Sequence, residues 1–439
     1  MSLEQMHEMN GKICPCGKTH GFSAQVITGA GALNRIPYIV KEYQAEKVYL
    51  LWDKNTYAAA GKQVEALLTA AGITSTAFCF PQECPEPDEK SVGAAVMHYP
   101  EDCQMVIAVG SGVINDIGKI VSAIAQKPFM IVATAPSMDG YASASSSMTR
   151  SGLKISLPSK SAQVIVGDTE VLCKAPVKMM KSGLGDMLAK YVSICEWRIA
   201  NLITGEYYCE EIASLIRSAV KRCVDNAPGL LRAEPEAVEA VFEGLVIGGV
   251  AMNYAGLSRP ASGVEHYISH VLDMRGVEFD APVDFHGIQC AVGTRYAVAL
   301  YEKLKGVKPD KEKALSYARS FSYDAWKEEL RKFLGKSAES MIALEEKEKK
   351  YDAVLHEKRL DAVLKNWDQI LQIMEEELPT EMEISDLLDS ISAPKMLTEL
   401  GIPEEQFAMV FKSTKDIRDK YVLSRLLWDL GILEELLEK

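Results

Sequence analysis

The 439-residue chain has no apolar run long enough to span a bilayer, and its polar opening, MSLEQMHEMNGK, has no signal-peptide core. Basic residues are in deficit: 48 Lys and Arg stand against 61 Asp and Glu, a net charge of −13. Nucleic acids and anionic membrane surfaces are met by basic faces, so this balance argues against both as partners. Regular cysteine spacing is missing as well. Ten cysteines scattered through so long a chain read as reduced thiols in a cytoplasmic protein, not as a disulfide framework. Internal repeats and low-complexity linkers are lacking. What is present, 48% hydrophobic and 25% charged residues, is the mix of a globular protein long enough for two domains.

The two halves of the chain carry different periods. SAQVIT, KVYLLWD, STAFCF, MVIAVG, FMIVAT and QVIVGD have strand length and β-branched or aromatic content. Amphipathic stretches such as TYAAAGKQVEALLTAAG alternate with them. Alternation of this kind predicts a largely parallel sheet with helices on both faces, its ligands bound beyond the carboxyl ends of the strands. From about Cys173 the strand-like runs nearly vanish, and GLGDMLAKYVSICEWRIANLI or EAVEAVFEGLVIGGVAMNYAG carry helical spacing instead. The expected architecture is an α/β nucleotide-binding domain over 1–173 and an all-α metal- and substrate-binding domain over 174–439, with a cleft between them. The Lys- and Glu-rich segment 307–375 reads as solvated helix faces laced with ion pairs.

MVIAVGSGVINDIGKIVSAIA, residues 105–125, reads as a buried strand, a glycine turn and a helix. Gly110 and Gly112 would let the backbone turn sharply, and the helix start would offer its positive end to a phosphate. The loop lacks the GxGxxG spacing, so an ordinary turn is the competing reading. Asn115, Asp116 and Lys119 follow at one-turn spacing, which a plain turn would not need. Asp53 ends KVYLLWD, where a carboxylate can accept from an adenosine ribose and would repel the 2′-phosphate of NADP; a helix N-cap is the alternative there.

Two clusters have the residue types of metal ligands. CPCGKTH brings Cys14, Cys16 and His20 together, with Cys79 and Cys84 as distant partners to consider. A structural zinc site wants four ligands, and this stretch offers three, so it reads as a surface turn. The second cluster is spread out. His266 and His270 lie one helical turn apart, His286 opens another helix in DFHGIQCAVGT, and Asp186 follows two glycines at an expected helix start. Asp with two His and an open position suits a catalytic divalent metal. Spacing does not choose between His266 and His270.

GSGVINDIGK, TAPSMDGYASASSS, GLGDMLAKY, SRPASGVEHYISH and FHGIQCAVGT, in this order, resemble the glycerol-1-phosphate dehydrogenases, in particular the bacterial AraM-like branch. More broadly they are similar to the group containing glycerol dehydrogenase, iron-type alcohol dehydrogenases and 3-dehydroquinate synthase. The resemblance covers about residues 23–300 and, more weakly, KDIRDKYVLSRLLWDLG near the end. It implies a dehydroquinate synthase-like fold, with an N-terminal Rossmann-like α/β domain and a helical C-terminal domain. It implies NAD(H) or NADP(H), together with one divalent metal held by Asp186, His266 and His286. Zinc, nickel and iron all suit that set. Gly110, Ser111, Gly112 and Asp116 would lie at the pyrophosphate with Lys119 nearby, Thr134 and Ser143 on the nicotinamide side, and Asp139 facing the substrate hydroxyls. Several iron-type members carry a histidine ligand four residues after the aspartate; here Lys190 takes that position.

The activity implied is reversible reduction of dihydroxyacetone phosphate to sn-glycerol 1-phosphate. His270 and Asp139 would orient a hydroxyl and relay a proton, while Lys190 and Arg259 would pair with the phosphate. A polyol dehydrogenase acting on an unphosphorylated substrate and a dehydroquinate-synthase-like lyase are the rival readings. Segment 305–375 departs from the shorter family members and is expected to form a longer helical hairpin affecting assembly. The expected assembly is a homo-oligomer, a dimer or larger.

Overall fold

The computed structural model describes residues 3–82, 84–151 and 153–438. The chain divides into two compact units, Met1–Met187 with Ser214–Leu257 and Leu188–Ala213 with Ser258–Lys439.

In the first unit all six apolar runs become strands. They are β1 (Gln25–Gly29), β2 (Lys47–Asp53), β3 (Thr74–Phe80), β4 (Met105–Gly110), β5 (Phe129–Ala133) and, after a hairpin of β6 (Ser145–Arg150) with β7 (Leu153–Pro158), β8 (Val164–Asp168). The sheet order is β1-β8-β5-β4-β2-β3, and every pair is parallel. β4, β5 and β8 are buried at every position, which is why they read as continuous apolar runs without alternation. The chain steps outward from β2 to β3, returns past β2 to β4, and then continues in the opposite direction. In open α/β sheets ligands bind at such a reversal, which here falls at the carboxyl ends of β2 and β4, where Asp53 and Gly110 stand. The antiparallel β6–β7 hairpin escapes the sequence reading, because SSSMTR has no apolar alternation to announce a strand.

The helix Pro235–Ala255 belongs to the same unit, and glycines admit it at both ends of its contact surface. A Cβ on Gly167 of β8 would stand 2.0 Å from the Phe242 ring, and one on Gly249 would stand 2.8 Å from the Asp139 carbonyl oxygen. By length and composition this helix could cross a membrane, which corrects the expectation that no such run exists. Its apolar residues are those of a core helix, with 83% of the window buried inside the protein.

The second unit is helical throughout its described residues. Two of its helices, Val264–Phe279 and His286–Lys305, pack against each other. Segment 305–375 is not a long hairpin. It folds as five short helices: Lys311–Ser320, Tyr323–Leu334, Ser337–Glu348, Ala353–Lys365 and Trp367–Glu377. Local stop signals explain the breaks: Asp310, Ser322 and Asp352 cap helix starts with their side chains, and Gly335 ends a helix at φ 56°. The outer faces carry exposed ion pairs such as Arg331 with Glu328 and Glu339. The inner faces surround Trp428 with the rings of Tyr317, Phe321, Tyr351 and His356.

Gly167→Ala should cost roughly 1–3 kcal/mol of stability in urea denaturation, because its methyl group would meet a rigid ring. Phe242→Leu in the same chain should recover part of that loss, giving non-additive energies. Additive losses would show that the close approach does not exist.

Candidate functional site

The first unit carries the nucleotide-type elements. β4 runs into Gly110, Ser111 is the N-cap, and the helix Gly112–Ala125 follows at once. Neither glycine has a positive φ, so turning is not what requires them. A Cβ on Gly110 would lie 2.5 Å from that of Ile114, so glycine is needed for the helix to start hard against the strand end. The N–H groups of a helix start are of the kind that can receive an anion.

The charged residues that follow are committed to the fold. Lys119 is buried and donates to the carbonyls of Gly140 (2.5 Å) and Ser145 (3.0 Å) and to the Ser143 hydroxyl (3.1 Å). The Asp116 carboxylate is 3.6 Å from the Lys119 ammonium and accepts from the Ser147 N–H at 3.0 Å. Burial pushes the Asp116 carboxyl up and the Lys119 ammonium down from their ordinary values. Asn115 adds a bond from Nδ2 to the Gly140 carbonyl at 3.2 Å. Together these groups clamp segment 139–147 onto the helix. Ser143, expected to line the nicotinamide side, is part of the clamp, and its hydroxyl lies 3.1 Å from both Gly140 O and Ser145 O, with one proton to donate to either. Thr134 is buried just after β5 and donates its N–H to Gly110 O at 3.1 Å. Asp53 is a helix N-cap, its Oδ1 accepting the Thr56 N–H at 2.8 Å, so one carboxylate oxygen is already used.

Asp186 sits inside the 28-residue helix Val177–Thr204, not at a helix start. The preceding glycine serves close packing instead of a turn: a Cβ on Gly183 would stand 2.0 Å from the Pro136 carbonyl oxygen. Ser182 donates to Ser137 O at 2.9 Å, and the Asp139 N–H donates to Asp186 Oδ2 at 2.9 Å. Asp139 and the fully buried Asp186 are thus joined within one unit.

The second unit brings His266 and His286 together, ring centroids 5.0 Å apart and nearly edge to face. Gly293 makes this possible, since a Cβ there would lie 2.8 Å from the Glu265 carbonyl oxygen of the facing helix. His266 Nδ1 is bonded to Glu265 Oε1 at 2.8 Å, and a carboxylate only accepts. Nδ1 therefore carries the proton, leaving Nε2 with a lone pair for a metal. His286 Nδ1 lies 3.1 Å from the Ser269 hydroxyl. His270 is half-buried, its ring 6.2 Å from that of His286.

Two phosphate candidates fare differently. Lys190 is buried. Arg259 is buried too, but it binds Glu206 through Nε (2.8 Å) and Nη2 (2.7 Å) and donates through Nη1 to Tyr421 O (2.9 Å). Its guanidinium is occupied by the fold, which corrects its assignment to substrate phosphate.

Three residues of this site escaped the sequence reading. Cys290, one turn after His286, places its Sγ 3.6 Å from His286 Nε2, and the donor atoms of His266, His286 and Cys290 all lie within 4.8 Å of one another. Burial raises the Cys290 thiol, but the two imidazoles outweigh it and leave the pKa below that of an ordinary thiol. One-turn spacing in HGIQC was the available signal. Glu265 and Glu196 form a buried carboxylate pair at the start of the Val264–Phe279 helix. Glu265 accepts from the Gly263 N–H at 2.6 Å, and Glu196 accepts from Val264 N–H at 3.0 Å and Leu423 N–H at 2.8 Å. Burial, with Glu265 beside it, pushes Glu196 up to about 8. A Cβ on Gly263 would stand 2.5 Å from a Glu196 oxygen, so the glycine makes room for the pair. Glu196 lies far from Glu265 in sequence, and nothing local announces it.

Comparison with known proteins agrees with these elements. Residues 27–176 match the family model described as iron-containing alcohol dehydrogenase. Glycerol dehydrogenase from Schizosaccharomyces pombe superposes with a TM-score of 0.63 at 18% identity, covering 96% of this chain and 92% of that one, which shows a shared fold. A glycerol-1-phosphate dehydrogenase [NAD(P)+] of Bacillus licheniformis is 26% identical over 97% of this chain and 94% of its own length. One from Halalkalibacterium halodurans is 31% identical over 66% of this chain and 74% of its own length. With a parallel-sheet unit, a helical unit and relatives at this identity, the chain belongs to the glycerol-1-phosphate dehydrogenase family.

Proposed function

We propose that this chain catalyses the reversible, NAD(P)H-dependent reduction of dihydroxyacetone phosphate to sn-glycerol 1-phosphate, with one divalent metal. The observation that carries the reading is the His266–His286 pair, with the His266 tautomer set by Glu265 so that Nε2 is presented as a donor. The relatives named as glycerol-1-phosphate dehydrogenases support the reaction and substrate. Asp186, His266 and His286 would hold the metal; a carboxylate with two imidazoles suits zinc, with nickel or iron as alternatives. Asp53 favours NAD(H), since its carboxylate would repel a 2′-phosphate. Ten cysteines without a disulfide among the described residues fit a reducing cytoplasm.

When bound, the metal supplies Lewis-acid polarisation of the C2 carbonyl and the nicotinamide supplies the hydride. The remaining work falls to side chains of this protein. His270, an imidazole able to exchange protons near neutral pH, gives a proton to the C2 oxygen in reduction and takes it back in oxidation. Asp139, its backbone tied to Asp186, orients the substrate hydroxyl. With Arg259 committed elsewhere, Lys190 is the cation proposed for the phosphate. The helix start at Ser111–Gly112 receives the dinucleotide pyrophosphate.

Chelation should abolish NADH-dependent reduction of dihydroxyacetone phosphate, and a single type of divalent ion should restore it; full turnover by metal-free protein would refute the proposal. His266→Ala should lose bound metal. His270→Ala should keep it near wild-type stoichiometry while kcat falls about 10²–10⁴-fold, as expected on losing a general acid. Equal metal loss in the two variants would show that His270 is itself a ligand. Lys190→Ala should lower kcat/KM for dihydroxyacetone phosphate by roughly 10–100-fold, the worth of a charge-assisted bond, and leave dihydroxyacetone nearly unaffected. Equal losses on both substrates would remove Lys190 from the phosphate.

A further inference from the structure

The CPCGKTH stretch is a turn with Pro15, Gly17, Lys18 and Thr19 exposed, but its two ends are buried. Cys14 is only 8% exposed and His20 only 1%. The segment folds as a tight reversal: Ile13 and Thr19 form an antiparallel bridge, the Cys14 N–H donates to Lys18 O at 2.9 Å, and Gly17 N–H donates to Cys14 O at 2.9 Å. Gly17 holds φ at +84°, a value that side chains rarely allow, so the glycine fixes the reversal that turns Cys14 and Cys16 toward His20.

We propose that Cys14, Cys16 and His20 supply three of the four ligands of a structural zinc ion, separate from the proposed catalytic metal. Three observations carry this. The donor atoms of the three residues all lie within 4.8 Å of one another. His20 Nδ1 is 3.0 Å from the Tyr254 carbonyl oxygen, which can only accept. Nδ1 therefore carries the proton, and Nε2 is left as the lone-pair nitrogen on the side of the thiols. This carbonyl–histidine arrangement is the one that orients zinc-binding imidazoles. Finally, Cys16 Sγ stands 3.5 Å from His20 Nε2. Zinc bonds of about 2.3 Å to sulfur and 2.0–2.1 Å to nitrogen, at a tetrahedral angle, place those atoms about 3.6 Å apart. A thiol-to-imidazole hydrogen bond would satisfy that one distance but would not need the second cysteine.

The fold also gives such an ion a task. Among the described residues the amino-terminal segment adds no strand to the sheet, and it docks on the Pro235–Ala255 helix. Tyr254 donates its hydroxyl to Met6 O at 2.7 Å, its carbonyl receives His20, and the two rings lie 5.4 Å apart. Asn10 and Phe22 close the segment with paired bonds of 2.7 and 2.8 Å. The apolar side chains of Met6, Cys14 and Phe22 are buried, and cross-linking by a metal would add to so small a core. Cys79 and Cys84, the distant partners weighed from sequence, are exposed and do not join the cluster.

The first test uses the unmodified full-length protein. Alkylation followed by peptide mass spectrometry should find Cys14 and Cys16 protected as isolated and labelled after a strong chelator, with protection restored by zinc. The exposed Cys79 and Cys84 should label throughout. Labelling of Cys16 that ignores both chelator and zinc would overturn the proposal. The second test counts metal: Cys14→Ser/Cys16→Ser should contain about one zinc per chain less than wild type, and its X-ray absorption should lose sulfur scattering at about 2.3 Å. Unchanged zinc content and sulfur signal would likewise overturn it. Should the variant fail to fold, the alkylation experiment decides alone.

Discussion

Asp186 is a carboxylate taken completely out of water, and the local structure around it is organised by that burial. A buried charge is costly unless hydrogen bonds or a cation answer it. One answer is the Asp139 N–H, delivered at 2.9 Å by a segment held against the long helix. That segment can approach because Gly183 has no side chain to meet the Pro136 carbonyl. The Lys119 ammonium clamps the same segment from the other side through Gly140 and Ser145. The metal proposed to bind Asp186 would add further compensation.

The histidine pair follows the same logic in the helical unit. Two imidazoles face each other because Gly293 lets their helices touch, and Glu265 sets the tautomer of one of them. Glu265 is itself buried beside Glu196, and burial together with this neighbour pushes Glu196 up to about 8. Glu265 meanwhile keeps its Oε1 2.8 Å from His266 Nδ1. Gly263 provides the space for both. Three glycines that look unremarkable in the sequence, at 183, 263 and 293, are therefore the steric conditions for the site.

Several charged residues that resemble ligands turn out to be construction. Lys119 and Asp116 hold a loop, and Arg259 neutralises Glu206. The opposite happens at the amino terminus, where residues that resembled a turn are buried with metal-like spacing. Burial separates the two cases. A buried cation whose donors are filled by carbonyls and carboxylates is part of the framework, whereas a lone-pair nitrogen held beside two thiols is a binding geometry.

Much of the fold was legible along the chain. All six sheet strands, the β4–helix turn and the change to helices after Cys173 follow from apolar periodicity, a property of neighbours in sequence. The β6–β7 hairpin and the breaks in 305–375 were less visible, since they rest on serine-rich pairing and on single capping residues. The residue types of the site, Asp186 with His266, His270 and His286, were also evident, and with them the family. The sequence by itself thus determined which side chains were available and which elements would carry them. Only the tertiary structure decided which were committed: that Arg259 is occupied, that Cys290 and Glu265 attend the histidines, that Cys14 and His20 are buried. Those outcomes depend on contacts between residues distant in the chain and on glycines that permit close approach, and no local pattern encodes either.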